Sequence, residues 1–121
     1  MRNQITWKSS RSKYHNQKTR VFGITFDSRH EADRYVELRK MEIDGKIFGL
    51  RMQVPYVLVP SQKDEATGRV AERPLKYVAD FVYQLPDGRK VVEDAKGCRT
   101  EGYKIKRKLM RYFFGIEIKE V

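Results

Sequence analysis

The chain has 121 residues, enough for one domain with a core of its own, and its 26 Lys and Arg against 16 Asp and Glu give a formal net charge of +10. A single cysteine, Cys98, excludes an internal disulfide and a cysteine-built zinc site. No run approaches the roughly 20 apolar residues of a membrane span, and without an apolar leader at the N-terminus the expected setting is a reducing cytoplasm.

The charge is clustered. Residues 1–20 hold Arg2, Lys8, Arg11, Lys13, Lys18 and Arg20 with no acid, and residues 97–113 hold Arg99, Lys104, Lys106, Arg107, Lys108 and Arg111 against Glu101 alone. Two basic segments around a balanced middle predict a polyanion gripped from two sides, with nucleic acid as the default. A charged solubilising surface is the plainer alternative. On the first reading, Lys13, Lys18, Lys104, Lys106, Lys108 and Arg111 are the expected phosphate contacts.

In chain order, residues 1–20 are polar and aperiodic and read as a basic N-terminal tail suited to ordering on binding, with the folded domain expected over 21–121. Residues 21–26 are a short extended entry into a helix. Ser28-Arg29-His30-Glu31 is a capping box that starts this helix, Ala32, Tyr35, Val36, Leu38, Met41 and Ile43 supply its apolar side, and Gly45 ends it. Residues 48–60 are rich in strand formers, and residues 61–73 are a polar excursion. A hairpin of strands 75–84 and 89–97 follows. Thr100 caps a second helix to about Phe114, with Tyr103, Leu109, Met110 and Phe113 as its stripe, and residues 116–121 alternate as a last strand. The expected fold is an α/β mixed-sheet (α+β) domain of order αβββαβ, a four-stranded mixed sheet flanked by helices.

The hairpin carries the chemistry. Leu85-Pro86-Asp87-Gly88 suits a type I turn closed by a glycine, which pairs Leu85 with Arg89. Residues whose numbers sum to 174 then face each other, so Asp80 lies across from Asp94, with Lys96 two residues on. Two facing acids in apolar strands repel, and a divalent cation is the natural remedy. A two-residue loop at Asp87-Gly88 would instead send the acids to opposite faces.

An acid at the start of the first helix (Glu31), Asp80 in one strand and Asp94-Ala95-Lys96 in the next resemble the PD-(D/E)XK nuclease superfamily. The phrases KYHNQKT, FDSRHEADRYVEL, YVADFVY, VVEDAKG and IEIKEV are similar to a family of small phage-encoded, resolvase-like nucleases. The resemblance implies a restriction-endonuclease-like core and a Mg²⁺- or Mn²⁺-dependent deoxyribonuclease acting on branched, flapped or single-stranded DNA in phage recombination or replication. Its metal ligands would be Glu31, Asp80, Asp94 and the carbonyl of Ala95, with Lys96 beside the nucleophile and Gln53 as a supporting polar residue. DNA, a second copy of the chain or a larger recombination or replication complex are the implied partners, in the cytoplasm of a host cell. Ala79 stands where the superfamily often has proline, and Glu93 is a competing acid that strand parity turns away from Lys96. The alternative is a non-catalytic nucleic-acid-binding module, or an accessory subunit of a larger nuclease.

Overall fold

The computed structural model describes residues 17–95 and 99–121. A hairpin of β1 (Thr19–Val21) and β2 (Ile24–Phe26) opens the chain. It is followed by helix α1 (Arg29–Ile43), the long strand β3 (Phe48–Val59), a short arm of β4 (Gln62–Lys63) and β5 (Val70–Glu72), β6 (Leu75–Gln84), β7 (Lys90–Asp94), helix α2 (Glu101–Phe114) and β8 (Lys119–Glu120). The principal sheet has the order β3-β6-β7-β8; its first three strands are antiparallel, and β8 is parallel to β7 because α2 crosses between them. The expected αβββαβ order and four-stranded mixed sheet are therefore present. No helix among the described residues is long and apolar enough to cross a membrane.

The helices cover opposite faces. Ala32, Tyr35 and Leu38 of α1 pack with Phe26, Phe81 and Tyr83, whereas Tyr103 and Met110 of α2 pack with Leu58, Tyr77, Val82 and Val92. Phe81 and Val82 are adjacent in one strand, so their membership of different clusters fixes the two faces. Some details differ from the pattern expected of the sequence. Strand pairing reaches back to Thr19, ahead of the boundary drawn at residue 21, and the polar excursion contains the β4–β5 arm. Val36 and Ile43 of α1 and Phe113 of α2 are exposed rather than core, because each helix touches the sheet along a narrower stripe than its apolar residues could fill. The last strand shortens to Lys119–Glu120.

The hairpin closes as its turn chemistry dictates. Gly88 N–H donates to the Leu85 carbonyl at 2.8 Å, Leu85 N–H donates to the Arg89 carbonyl at 2.8 Å, and Gly88 takes φ +89°, a conformation cheap only for glycine. Phe81 pairs with Glu93 and Gln84 with Lys90, the register in which numbers sum to 174.

A seam crosses the sheet at Gln53 and Asp80. Strand β3 pairs with β6 so that Met52 faces Phe81 and Val54 faces Ala79, which sets Gln53 opposite Asp80. On one side of that pair, Leu50, Met52, Phe81 and Tyr83 pack toward α1; on the other, Val54, Tyr56, Tyr77 and Ala79 pack toward α2. Even-numbered residues of β3 thus change face at Gln53, whose φ of +54° supplies the rotation. A left-handed conformation costs a non-glycine residue about 1–2 kcal/mol, and here it lets both strands serve two cores.

Candidate active site

Glu31 reaches the seam from the first turn of α1. Its N–H donates to Ser28 Oγ at 3.1 Å, completing half of the capping box. Its carboxylate does not close the box on Ser28 but reaches back to Asp27, whose N–H donates to Oε1 at 3.3 Å. The other oxygen, Oε2, accepts from Gln53 Nε2 at 3.0 Å. The same amide nitrogen donates to Asp80 Oδ1 at 3.3 Å, so one side chain spans both acids. The Ser28 side chain thus caps the helix while the Glu31 carboxylate is left to the cluster.

Asp80 leaves the regular ladder. With Leu85 and Arg89 as a hydrogen-bonded pair, pairs two residues apart repeat that pattern, and Ala95 N–H would next donate to the carbonyl of Ala79. Instead it donates to Asp80 Oδ2 at 2.8 Å, so the carboxylate is tied to the residue that separates Asp94 from Lys96. Asp94 shares the α2-facing side with Val92, and its Oδ2 accepts from the Tyr77 hydroxyl at 2.7 Å. Its carbonyl accepts from Val121 N–H at 3.0 Å. Burial, and then the bond to Asp94 and its charge, push the Tyr77 hydroxyl well above the usual phenol range. Lys96 lies outside the described residues, as does Lys13.

Burial sharpens the electrostatics. Glu31, Asp80 and Asp94 are all buried. The Glu31 carboxyl is pushed up to about 7, first by burial and then by the charge of Asp80 beside it. A cleft of about 110 Å³ opens over Glu31 and Gln53 between the β1–β2 hairpin and β3, with Phe26, Asp27 and Met52 in its walls. Among the described residues no three His, Cys, Asp or Glu side chains converge as a ready cation cage; Glu31 and Asp80 meet as a pair, and Asp94 approaches from the α2 side.

Several neighbours carry no simple sequence signal. Glu93 is wholly buried on the α1 side, where Arg34 binds it through two bonds of 2.8 and 2.6 Å and the Tyr83 hydroxyl donates to it. The parity that turned Glu93 away from the site is thus matched by a partner of its own. Toward α2, the Tyr103 hydroxyl donates to Glu120 Oε2 at 2.6 Å, and Arg107 and Arg99 pair with the same carboxylate at 3.0 and 2.5 Å. That tyrosine bond and the arginines hold Glu120 below the ordinary carboxylate range.

The basic residues of α2 divide by position. Lys104, Lys108 and Arg111, spaced by four and three, share one flank of the helix, and Lys106 falls on another. Lys104 pairs with Glu101 at 3.5 Å and Arg111 with Glu117 at 4.0 Å, while no ion pair among the described residues holds Lys106 or Lys108. Lys18 is exposed just ahead of β1.

No curated protein and no solved structure matches the chain. A family model does, over residues 11–120, a span that takes in both helices, every strand and all the acids of the seam. By that match the chain belongs to DUF1064, a family described as protein of unknown function.

Proposed function

We propose that the protein is a metal-dependent deoxyribonuclease that hydrolyses phosphodiester bonds in branched, flapped or single-stranded DNA. The observation that carries this reading is the buried pair Glu31–Asp80, joined by one neutral amide and tied through Ala95 N–H to the Asp94-Ala95-Lys96 segment. Two acids buried together with only a neutral amide between them are what a hard cation relieves, and carboxylate oxygens are the donors that Mg²⁺ and Mn²⁺ take. Glu31, Asp80, Asp94 and the Ala95 carbonyl would hold such a cation, which when bound polarises the scissile phosphate and acidifies the attacking water.

The chain's own groups do the rest. Gln53 fixes the facing oxygens of Glu31 and Asp80 at one nitrogen, which holds the ligands in place before substrate arrives. Tyr77 orients Asp94. Lys96 brings a positive charge next to this cluster in sequence, suited to orienting the nucleophile and offsetting charge that develops on the phosphate. The basic flank of α2 grips phosphates without sequence readout, which suits selectivity for DNA structure.

Pure protein incubated with labelled junction, flap, single-stranded and duplex DNAs in Mg²⁺, Mn²⁺ or EDTA is the direct test. Cutting is expected with either metal and none with EDTA. Asp80→Asn and Lys96→Ala should each lower the single-turnover rate by about 10²-fold or more while DNA binding persists. Binding without cutting under every condition would leave a nucleic-acid-binding module, or a subunit that needs a partner.

A further inference from the structure

The C-terminal turn of α2 exposes two aromatic rings that the fold does not use. Tyr112 is 81% exposed and Phe113 52%. Their rings meet each other edge-on at 5.2 Å, and among the described residues neither stacks on any other ring. The next residue is different: Phe114 packs edge-on against Tyr56 at 5.7 Å and so anchors the helix end on β3. Gly115, at φ +66°, stops the helix immediately afterwards, with its N–H donating to the Arg111 carbonyl at 3.0 Å, so the two rings stand at a fixed helix end.

We propose that Tyr112 and Phe113 form a stacking platform for unpaired bases, so that the DNA held by α2 includes a single-stranded segment. The proposal deepens the nuclease reading by naming its substrate class, and it rests on the DNA-binding half of that reading. Stacking on aromatic rings beside a basic track is how single strands are held without sequence preference, because every base offers a π-face. Charge lies beside them: Lys104, Lys108 and Arg111 share one flank of the helix, and a groove of about 350 Å³ between α2 and residues 116–120 is lined by Arg107, Lys108 and Arg111 together with Glu117 and Glu120. These two acids pair with Arg111 and Arg107 and leave Lys108 with no ion pair among the described residues. The same charges oppose a second copy as occupant, since pairing two of these helices would bring like charge onto like. α2 and the cleft over Glu31 lie on opposite faces of the sheet, so a strand running from the platform to the acids passes around the edge strand β3. Tyr56, on which Phe114 rests, is three residues beyond Gln53 on the edge strand β3, about 10 Å along it.

The test is carried out in EDTA, so that it is independent of cutting. Binding of a labelled oligo(dT) strand and of a labelled duplex is titrated at several salt concentrations for the wild type, for Tyr112→Ala/Phe113→Ala, and for Tyr112→Phe/Phe113→Tyr. The alanine pair should lose at least about tenfold in affinity for the single strand, with an unchanged salt slope and less than about twofold change on duplex. The aromatic exchange should keep wild-type affinity. Equal losses on both DNAs, or no loss, would overturn the proposal. So would a wild-type dimer that the alanine pair dissolves in sedimentation, or loss of binding to phosphatidylserine vesicles with oligo(dT) affinity intact. If the wild type binds neither DNA, the DNA reading itself falls; if it binds as expected yet never cuts with metal, only the catalytic reading does.

Discussion

Two acid sites lie one turn apart along α1, and the fold treats them differently. At Glu93 a wholly buried carboxylate receives a guanidinium in two-point contact from Arg34 and a hydroxyl from Tyr83. That bond to Glu93 drives the Arg34 guanidinium further up from its ordinary range. At Glu31 and Asp80, three residues back along the same helix, two buried carboxylates receive one neutral amide, and no cation pairs with either among the described residues. The first site shows that this chain supplies a counter-charge where an acid is only structural. Among the described residues the second site has none, and that contrast is what supports a cation there, from Lys96 beside it in sequence or from a metal ion.

Breaking the satisfied site should give the largest effect. Arg34→Met strands Glu93 as a buried charge and should cost about 3–5 kcal/mol in urea unfolding, with Glu93→Gln in the same chain recovering much of it. A loss below about 1 kcal/mol would mean that Glu93 does not need its arginine, and the contrast with Asp80 would lose its meaning.

The unsatisfied site should respond in the opposite direction. The Glu31 carboxyl stands at about 7 in the folded protein against 4.5 ordinarily, so in EDTA its contribution to stability is full below about 4.5 and is lost as pH rises through 7. Asp80→Asn removes the charge responsible for part of that shift. It should leave stability little changed at pH 5 and raise it at pH 8 by of order 1 kcal/mol once solvent screening is allowed for. Added Mg²⁺ should raise the melting temperature of the wild type at pH 8 and leave the variant where it was. A variant less stable than wild type at pH 8 in EDTA would show that the two acids are no liability to each other.

The smallest net effect belongs to a glycine in place of the residue between the acids. Gln53→Gly relieves the left-handed strain but loses two hydrogen bonds, so its stability should stay within about 1 kcal/mol of wild type. Gln53→Val keeps the strain and adds a branched side chain at positive φ, and should fall by about 2 kcal/mol. Equal behaviour of the two variants in thermal melts would remove backbone geometry from the account of the seam.

Much of this was legible in the residues. Pro86 and Gly88 fix the hairpin register through local turn chemistry, and the Ser28–Glu31 box fixes where α1 begins. The seam was not legible. Leu50, Met52, Val54, Tyr56 and Leu58 alternate without a break, as one face of one strand would, and nothing local announces that Gln53 turns the chain over midway. The same limit hid the partners of the acids: Arg34 and Tyr103 meet Glu93 and Glu120 only when the helices pack on the sheet, and Tyr77 meets Asp94 only through the neighbouring strands. In α2 the period of the apolar residues was right, but it could not tell Met110, which is buried, from Phe113, which is not.

Gln53 and Pro55 have a second consequence, for the outer margin of the sheet. β3 is an edge strand of twelve residues with Val57 exposed and Val78 exposed beside it on β6, the kind of margin on which another chain could add a strand. Its outward row of donors has no N–H at Pro55 and is bent at Gln53, so an incoming strand finds no long run to pair with. The opposite margin, β8, is only two residues long. The irregularity that brings Glu31 to Asp80 thus also guards this margin of the sheet against edge-to-edge aggregation.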